Sequence, residues 1–378
     1  MNKLSVSIGI ILLLSLNSCE ETGAGEIQPD FGEVNVEVMA SGFQIPWSIE
    51  VIGENEFLFT ERLGKLYQYK EGTTSLINLL PISATVRFDG LTYGGFMDVS
   101  LHPRYADNGW VYLAYVNTDY RLSVVRFQVE EGSAKVKEFI FESNAFSIGS
   151  RIVWQDERHF FLTQGLGGNP LPEPGPQDLT NDGGKIHRLL EDGQIPPDNP
   201  IFPNASAPTT VWSYGHRDPQ GLFYDENAEI LYSHEHGPLG GDELNIITKG
   251  DNFGWPLFSY GLNYDETPVS NLSEQDAASS TILPIKYWGT DFRLAPSGLL
   301  KLDNSNFTDW NGSFLIGSLG LQGLFSYNVL RDESRMLLEG IGRVRDVVQL
   351  PSGNLLISID AASPRAADEG RILKLSPK

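Results

Sequence analysis

The sequence predicts an all-β protein, a six-bladed β-propeller in a single domain. Three observations lead there. A strand–turn–strand unit recurs six times along the chain, and self-similarity at this scale marks repeat architectures. The 39 glycines and 22 prolines are spread through the 378 residues rather than massed in one tract, which suits many short strands joined by turns and argues against long helices. Hydrophobic residues make up 40% and charged residues 20%, enough apolar matter for a large core and too little charge for a disordered chain.

The units run in order. Phe57, Leu58 and Phe59 lead through Gly64 into Leu66, Tyr67 and Tyr69. Residues 110–115, rich in Val and Tyr, are followed by 122–127 with Val124, Val125 and Phe127. Phe160, Phe161 and Leu162 are followed, after a long insertion, by 184–189 with Ile186 and Leu189. Residues 230–233 precede 243–247, residues 313–317 precede 323–327, and residues 354–358 precede 370–375. Each unit is an antiparallel pair that cannot bury its faces alone. Radial stacking of four-stranded blades solves this, and four to eight blades is the usual range. A two-sheet sandwich is the weaker alternative. The longest insertions, residues 166–181 and 260–283, fall between strand pairs, where propeller loops build binding sites.

The first residues read as an address. Lys3 precedes an apolar run over residues 8–16, too short to span a bilayer. It ends in Leu16-Asn17-Ser18-Cys19, and Cys19 is the only cysteine. This resembles a bacterial lipoprotein signal, so residues 1–18 are expected to be a signal peptide. Residues 19–35 are then a flexible tether lipidated at Cys19, and 36–378 the propeller. The implied location is the bacterial cell envelope, outside the cytoplasm, with the membrane met by the lipid anchor alone. A single cysteine excludes an intramolecular disulfide and a cysteine-built metal cluster. The formal charge of −22 repels phosphate backbones, which makes nucleic acid a poor partner.

Ten segments then stand in order: 45–47 (Ile-Pro-Trp), 60–62 (Thr-Glu-Arg), 95–103, 183–186, 212–222, 235–238 (Glu-His-Gly-Pro), 241–245, 250–256, 295–299 and 342–346. Together they resemble the soluble glucose/sorbosone dehydrogenases, aldose sugar dehydrogenases that use pyrroloquinoline quinone (PQQ) with calcium. The family fold is a six-bladed propeller. The resemblance implies that Arg217 lies over the quinone, beside Asp218 where the family usually has Asn. It assigns Arg343 and Arg345 to the cofactor carboxylates, and strand alternation puts both on one face. His236 joins the cofactor-binding group. The carbonyls of Gly237 and Pro238 fall on a calcium site at the quinone. Glu243 and the Phe253 backbone fall on a second, structural calcium site. The implied partners are a small-molecule sugar and an external electron acceptor.

The chemistry suits these residue types. A planar tricarboxylate calls for Arg, and calcium for several oxygens. Each residue also has a structural reading: Gly-Pro as a turn, Arg343 and Arg345 as ordinary surface strand residues or as partners of Asp346 and Asp360, and His102, His216, His234 and His236 as hydrogen-bonded histidines. The pattern also breaks at the base, at its partner and at one polar position. The family's histidine base is replaced by Ser147, which has no pKa near neutrality, and its partner carboxylate by Leu166. Tyr93 stands where the family has Gln or Glu. The expected function is a PQQ- and calcium-dependent sugar dehydrogenase-like oxidoreductase with an altered active site. The alternative is a non-catalytic propeller lipoprotein binding carbohydrate or a protein partner. A propeller hydrolase has no nucleophile–base motif behind it.

Overall fold

The computed structural model of the chain describes residues 32–88, 92–166, 175–203, 205–360 and 369–378, without the side chains of residues 86–88 and 92–93. Cys19 and the Tyr93 side chain lie outside what is described.

Among the described residues are six four-stranded antiparallel sheets, arranged as the blades of a propeller. From axis to rim, blade 1 runs Pro46–Gly53, Glu56–Glu61, Lys65–Lys70, Thr73–Leu76. Blade 2 is Phe96–Leu101, Trp110–Val116, Leu122–Glu130, Ser133–Glu142. Blade 3 is Ile152–Trp154, His159–Gln164, Lys185–Leu190, Val211–Tyr214, and blade 4 is Pro219–Asp225, Ile230–Glu235, Asp242–Ile247, Lys286–Trp288. Blade 5 is Pro296–Lys301, Phe314–Ser318, Gly323–Asn328, Glu333–Glu339. Blade 6 takes Arg343–Gln349, Leu355–Asp360 and Gly370–Pro377, and its rim strand is Val34–Phe43 from the other end of the chain. Every repeat read from the sequence is the middle pair of one blade.

Blade 6 closes the ring. Val34 pairs with Pro377 and Phe43 with Gly370, antiparallel. The expected tether therefore ends earlier than residue 35: Val34 and Asn35 already belong to the sheet, held by backbone hydrogen bonds that their polar neighbours in sequence do not reveal.

Packing explains the sequence pattern. A middle strand is covered on both faces by neighbouring blades. All six residues of Gly323–Asn328 and of Leu355–Asp360 are buried, so such strands read as largely apolar runs. The rim strand Thr73–Leu76 is wholly exposed. Between blades 1 and 6, Phe57, Phe59 and Tyr69 pack with Phe43, Leu356 and Ile372; the Phe57 and Tyr69 rings stack 4.6 Å apart. Burying side chains of this size contributes about 1.5–3 kcal/mol each. The first strand of every blade packs on the first strands of its neighbours, so these six strands ring the axis.

Candidate active site

The residues at the start of the axial strands meet in a buried network. Arg151, just before the axial strand of blade 3, donates from Nη1 to Asp98 of blade 2 at 3.1 Å and reaches Asp346 of blade 6 at 3.0 Å. Its Nε donates to the Gln220 carbonyl and its Nη2 to the Arg345 carbonyl. Asp98 also accepts from Ser48 Oγ and the Ile152 amide, and Asp346 from the Ile49 amide. Burial works against the Arg151 charge, but Asp346 and Asp98 outweigh it and hold the guanidinium pKa above its ordinary value. For Asp346 burial wins, and its carboxyl is pushed up to about 6.

Trp47, 1% exposed, lies among three guanidiniums: Arg62 at 4.3 Å, Arg345 at 4.9 Å and Arg151 at 5.9 Å from the ring centroid. Such cation–π contacts strengthen when desolvated. Arg345 Nε donates to Asp360 Oδ2 at 2.8 Å, and Arg343 Nε donates to Oδ1 of the same carboxylate at 3.0 Å. The expected single face is there, with Asp360 between the two arginines; of the two structural partners weighed for them, Asp360 is the one they take. One carboxylate against two guanidiniums leaves a net positive charge.

The other side of the site comes from blade 4. Arg217 holds its backbone amide on Glu235 Oε2 at 2.6 Å, donates from Nη1 to the His236 carbonyl, and lies over the Trp255 ring with its Nη2 3.4 Å from the Tyr264 hydroxyl. Tyr264 lies within the insertion 260–283 read from the sequence as a binding loop, and Trp255 lies just before it. His236 Nε2 lies 2.6 Å from the Pro296 carbonyl; a carbonyl only accepts, so this nitrogen carries the proton in the neutral ring. Asp218, 2% exposed, accepts twice from Gln220 Nε2, at 2.9 and 3.0 Å. Burial pushes its carboxyl up to about 6 against the opposing pull of the Gln220 bond, Arg217 and Arg62.

Ser147 is fully buried and donates its hydroxyl to the Gly149 carbonyl at 2.6 Å. Leu166 is also buried, its amide bonded to the Arg217 carbonyl. Of the histidines, His102 bonds Glu191, His216 bonds Ser213, and His234 reaches the Gly298 carbonyl. Gly237 and Pro238 open a tight turn. Its amide at 237 donates to Asp242, and a Cβ on Gly237 would fall 2.0 Å from the Gly240 carbonyl oxygen. Glu243 faces Glu235 in the interior, and burial together with that neighbour raises its carboxyl well above the usual range. Asn245, between them, has a buried Oδ1 without a partner. Excess oxygen acceptors without donors suit an oxygen-seeking dication. Among the described residues no three His, Cys, Asp or Glu side chains gather around one point, so a calcium ion here would rely on backbone carbonyls beside at most two carboxylates.

The sequence reading did not assign Trp47, Arg62, Arg151, Asp98, Gln220, Asp360 or Tyr264 to the site. Trp47, Arg62, Asp98 and Gln220 lie within the segments that carried the resemblance, so their position was on view and their role was not.

Fold and site define a propeller with guanidiniums and aromatic rings gathered where its axial strands begin, residue types that suit a small planar anion. The chain belongs to the glucose/sorbosone dehydrogenase family, whose model matches residues 43–373. It is 31% identical over 361 residues to aldose sugar dehydrogenase YliI of Escherichia coli, covering 91% of this chain and 93% of that one. With quinoprotein glucose dehydrogenase B of Acinetobacter calcoaceticus it shares 24% identity over 89% of this chain and 87% of the relative. The structure of the PQQ-bound aldose sugar dehydrogenase of Streptomyces coelicolor superposes with a TM-score of 0.71 at 25% identity, covering 91% and 98%. The chain is thus a sugar dehydrogenase-like oxidoreductase by family.

Proposed function

We propose that this protein binds PQQ with calcium and oxidises aldoses, passing electrons to an external acceptor. The observation that carries the reading is the convergence of Arg345, Arg62 and Arg151 on the Trp47 ring, with Arg217 and Arg343 beside them, in a chain of net charge −22. Arg151 is balanced by Asp98 and Asp346, but Arg343 and Arg345 share the one carboxylate of Asp360, and a guanidinium in excess of its carboxylates suits an anionic ligand. Arg343, Arg345, Arg217, Asp218 and His236 would hold the quinone. Bound there, it supplies a two-electron oxidant. Calcium would take the Gly237 and Pro238 carbonyls, and a second ion Glu243 and the Phe253 carbonyl; the orphaned Asn245 Oδ1 and the raised Glu243 carboxyl support the latter.

Calorimetric titration of the apoprotein with PQQ, with and without calcium, tests the reading. Saturable binding that needs calcium is expected, with dye reduction on some member of an aldose panel. Ligand at 100 times its Kd should add about 2.7 kcal/mol to stability, visible as a rise in Tm that chelation reverses. No binding and no calcium-dependent Tm shift would favour the second reading, a non-catalytic propeller. That reading draws on Ser147 and Leu166, neither of which can take a proton.

We also propose that Cys19 anchors the protein by a lipid in the cell envelope, on the strength of the Leu16-Asn17-Ser18-Cys19 sequence. Cys19→Ala should move the protein from the membrane fraction to the soluble one or block its processing. A variant that stays membrane-bound and is cut normally would refute the anchor.

A further inference from the structure

We propose that Asp218 is the general base of this enzyme, taking the proton of the sugar's C1 hydroxyl, with Gln220 as its positioning residue. The assignment rests on the quinone-dependent reading above, and three observations carry it.

The first is elimination. Sugar oxidation needs a proton acceptor beside the hydride acceptor. Ser147 has committed its hydroxyl to the Gly149 carbonyl, and Leu166 has none to offer. Asp98, Asp346, Asp360, Asp242 and Glu235 each carry separate donors on their two oxygens. Asp98 and Asp346 share Arg151, and Asp360 holds Arg343 and Arg345. Asp242 takes the Gly237 and Ala295 amides, and Glu235 the Arg217 amide. Asp218 accepts its hydrogen bonds from one neutral amide, that of Gln220. A neutral donor fixes the direction of a carboxylate with far less loss of basicity than a guanidinium causes.

The second is location. Gly149 and Gly165 lie two residues after Ser147 and one before Leu166, and they are bonded to each other, the Gly165 amide donating to the Gly149 carbonyl at 3.2 Å. A Cβ on Gly165 would fall 2.1 Å from Asp218 Oδ1, and one on Gly149 would fall 2.2 Å from Gln220 Nε2. The segments where the family carries its base and orienting carboxylate therefore press directly on the Asp218–Gln220 pair. The carboxylate missing from position 166 reappears across that contact, at a position where the resemblance expects Asn.

The third is environment. The charged and titratable groups facing Asp218 are Arg217, Arg62, Glu235 and His236, the last with Nδ1 3.7 Å from Oδ2. Burial raises the carboxyl to about 6, so at neutral pH it is mostly ionised yet more basic than an ordinary aspartate. That is the compromise a general base needs. In the step itself the C1 hydroxyl proton passes to the Asp218 carboxylate. The C1–H bond breaks and its electron pair leaves as hydride to the bound quinone, the two-electron oxidant. C1 becomes the carbonyl carbon of a lactone, and Asp218 returns its proton to solvent.

Asp218→Asn keeps the shape and removes the base. It should still bind PQQ by calorimetry, since the change takes a negative charge away from a tricarboxylate ligand, while kcat falls about 10²–10⁴-fold. Wild-type kcat should rise as pH rises through about 6, because the ionised form is the competent one, and Asp218→Asn should lose that limb. Infrared difference spectra of the apoprotein give a readout free of turnover: a buried carboxyl band titrating near 6 that is lost in Asp218→Asn and shifted in Gln220→Leu, distinct from the Asp346 band, which stays in both. An Asp218→Asn enzyme that binds PQQ and turns over like wild type overturns the assignment, and so does the absence of the titrating band. A wild type that binds no PQQ overturns the cofactor reading instead, and the band then still decides whether Asp218 is a free base.

Discussion

Arg151→Met is expected to destabilise the protein by about 3–5 kcal/mol, the loss usual when one partner is taken from a buried ion pair. Arg151 is 6% exposed and ties blade 3 to Asp98 of blade 2, the Gln220 carbonyl of blade 4, and Asp346 and the Arg345 carbonyl of blade 6. Asp346 in turn holds the Ile49 amide of blade 1. Methionine fills much of the volume and offers no donor, so two carboxylates and two carbonyls lose their partner at once. Denaturant unfolding measures the loss. Arg121→Met is the control: its pair with Glu142 is half exposed on both sides, and such pairs contribute little. Equal losses for the two variants would mean that the hub is not what joins the blades.

Arg343→Ala should weaken PQQ binding about 10–100-fold, since a hydrogen bond to a charged group is worth about 1.5–3 kcal/mol. Arg343 is the informative member of its pair. Its side chain is 22% exposed, while that of Arg345 is 3% exposed and bound to Asp360 through both Nε and Nη2. With Arg345 in place Asp360 stays paired, so the apoprotein should melt close to wild type and the loss should appear in affinity. Arg343→Lys keeps the charge without the planar fork and should fall between. Unchanged calorimetric affinity in Arg343→Ala would remove this residue from the cofactor site.

The sequence by itself determined the middle of every blade. Most of those strands are buried on both faces, so they read as largely apolar runs, and six such pairs in succession leave little but a propeller. It did not show the axial strand Ile152–Trp154, three residues long, or the exposed rim strand Thr73–Leu76, because neither has a buried period to betray it. Strand alternation put Arg343 and Arg345 on one face, but the choice of Asp360 over Asp346 as their partner came from blade pairing. The sequence also marked Ser147 and Leu166 as departures from the family. Only the tertiary structure decided what they mean. Arg151 meets Asp98 across 53 positions and the Arg345 carbonyl across 194, and closing the ring is what brings them together. The proposed role of Asp218 likewise needs the fold: burial raises its carboxyl, while Asp98, Asp346, Asp360, Asp242 and Glu235 hold donors on both oxygens that come from five blades.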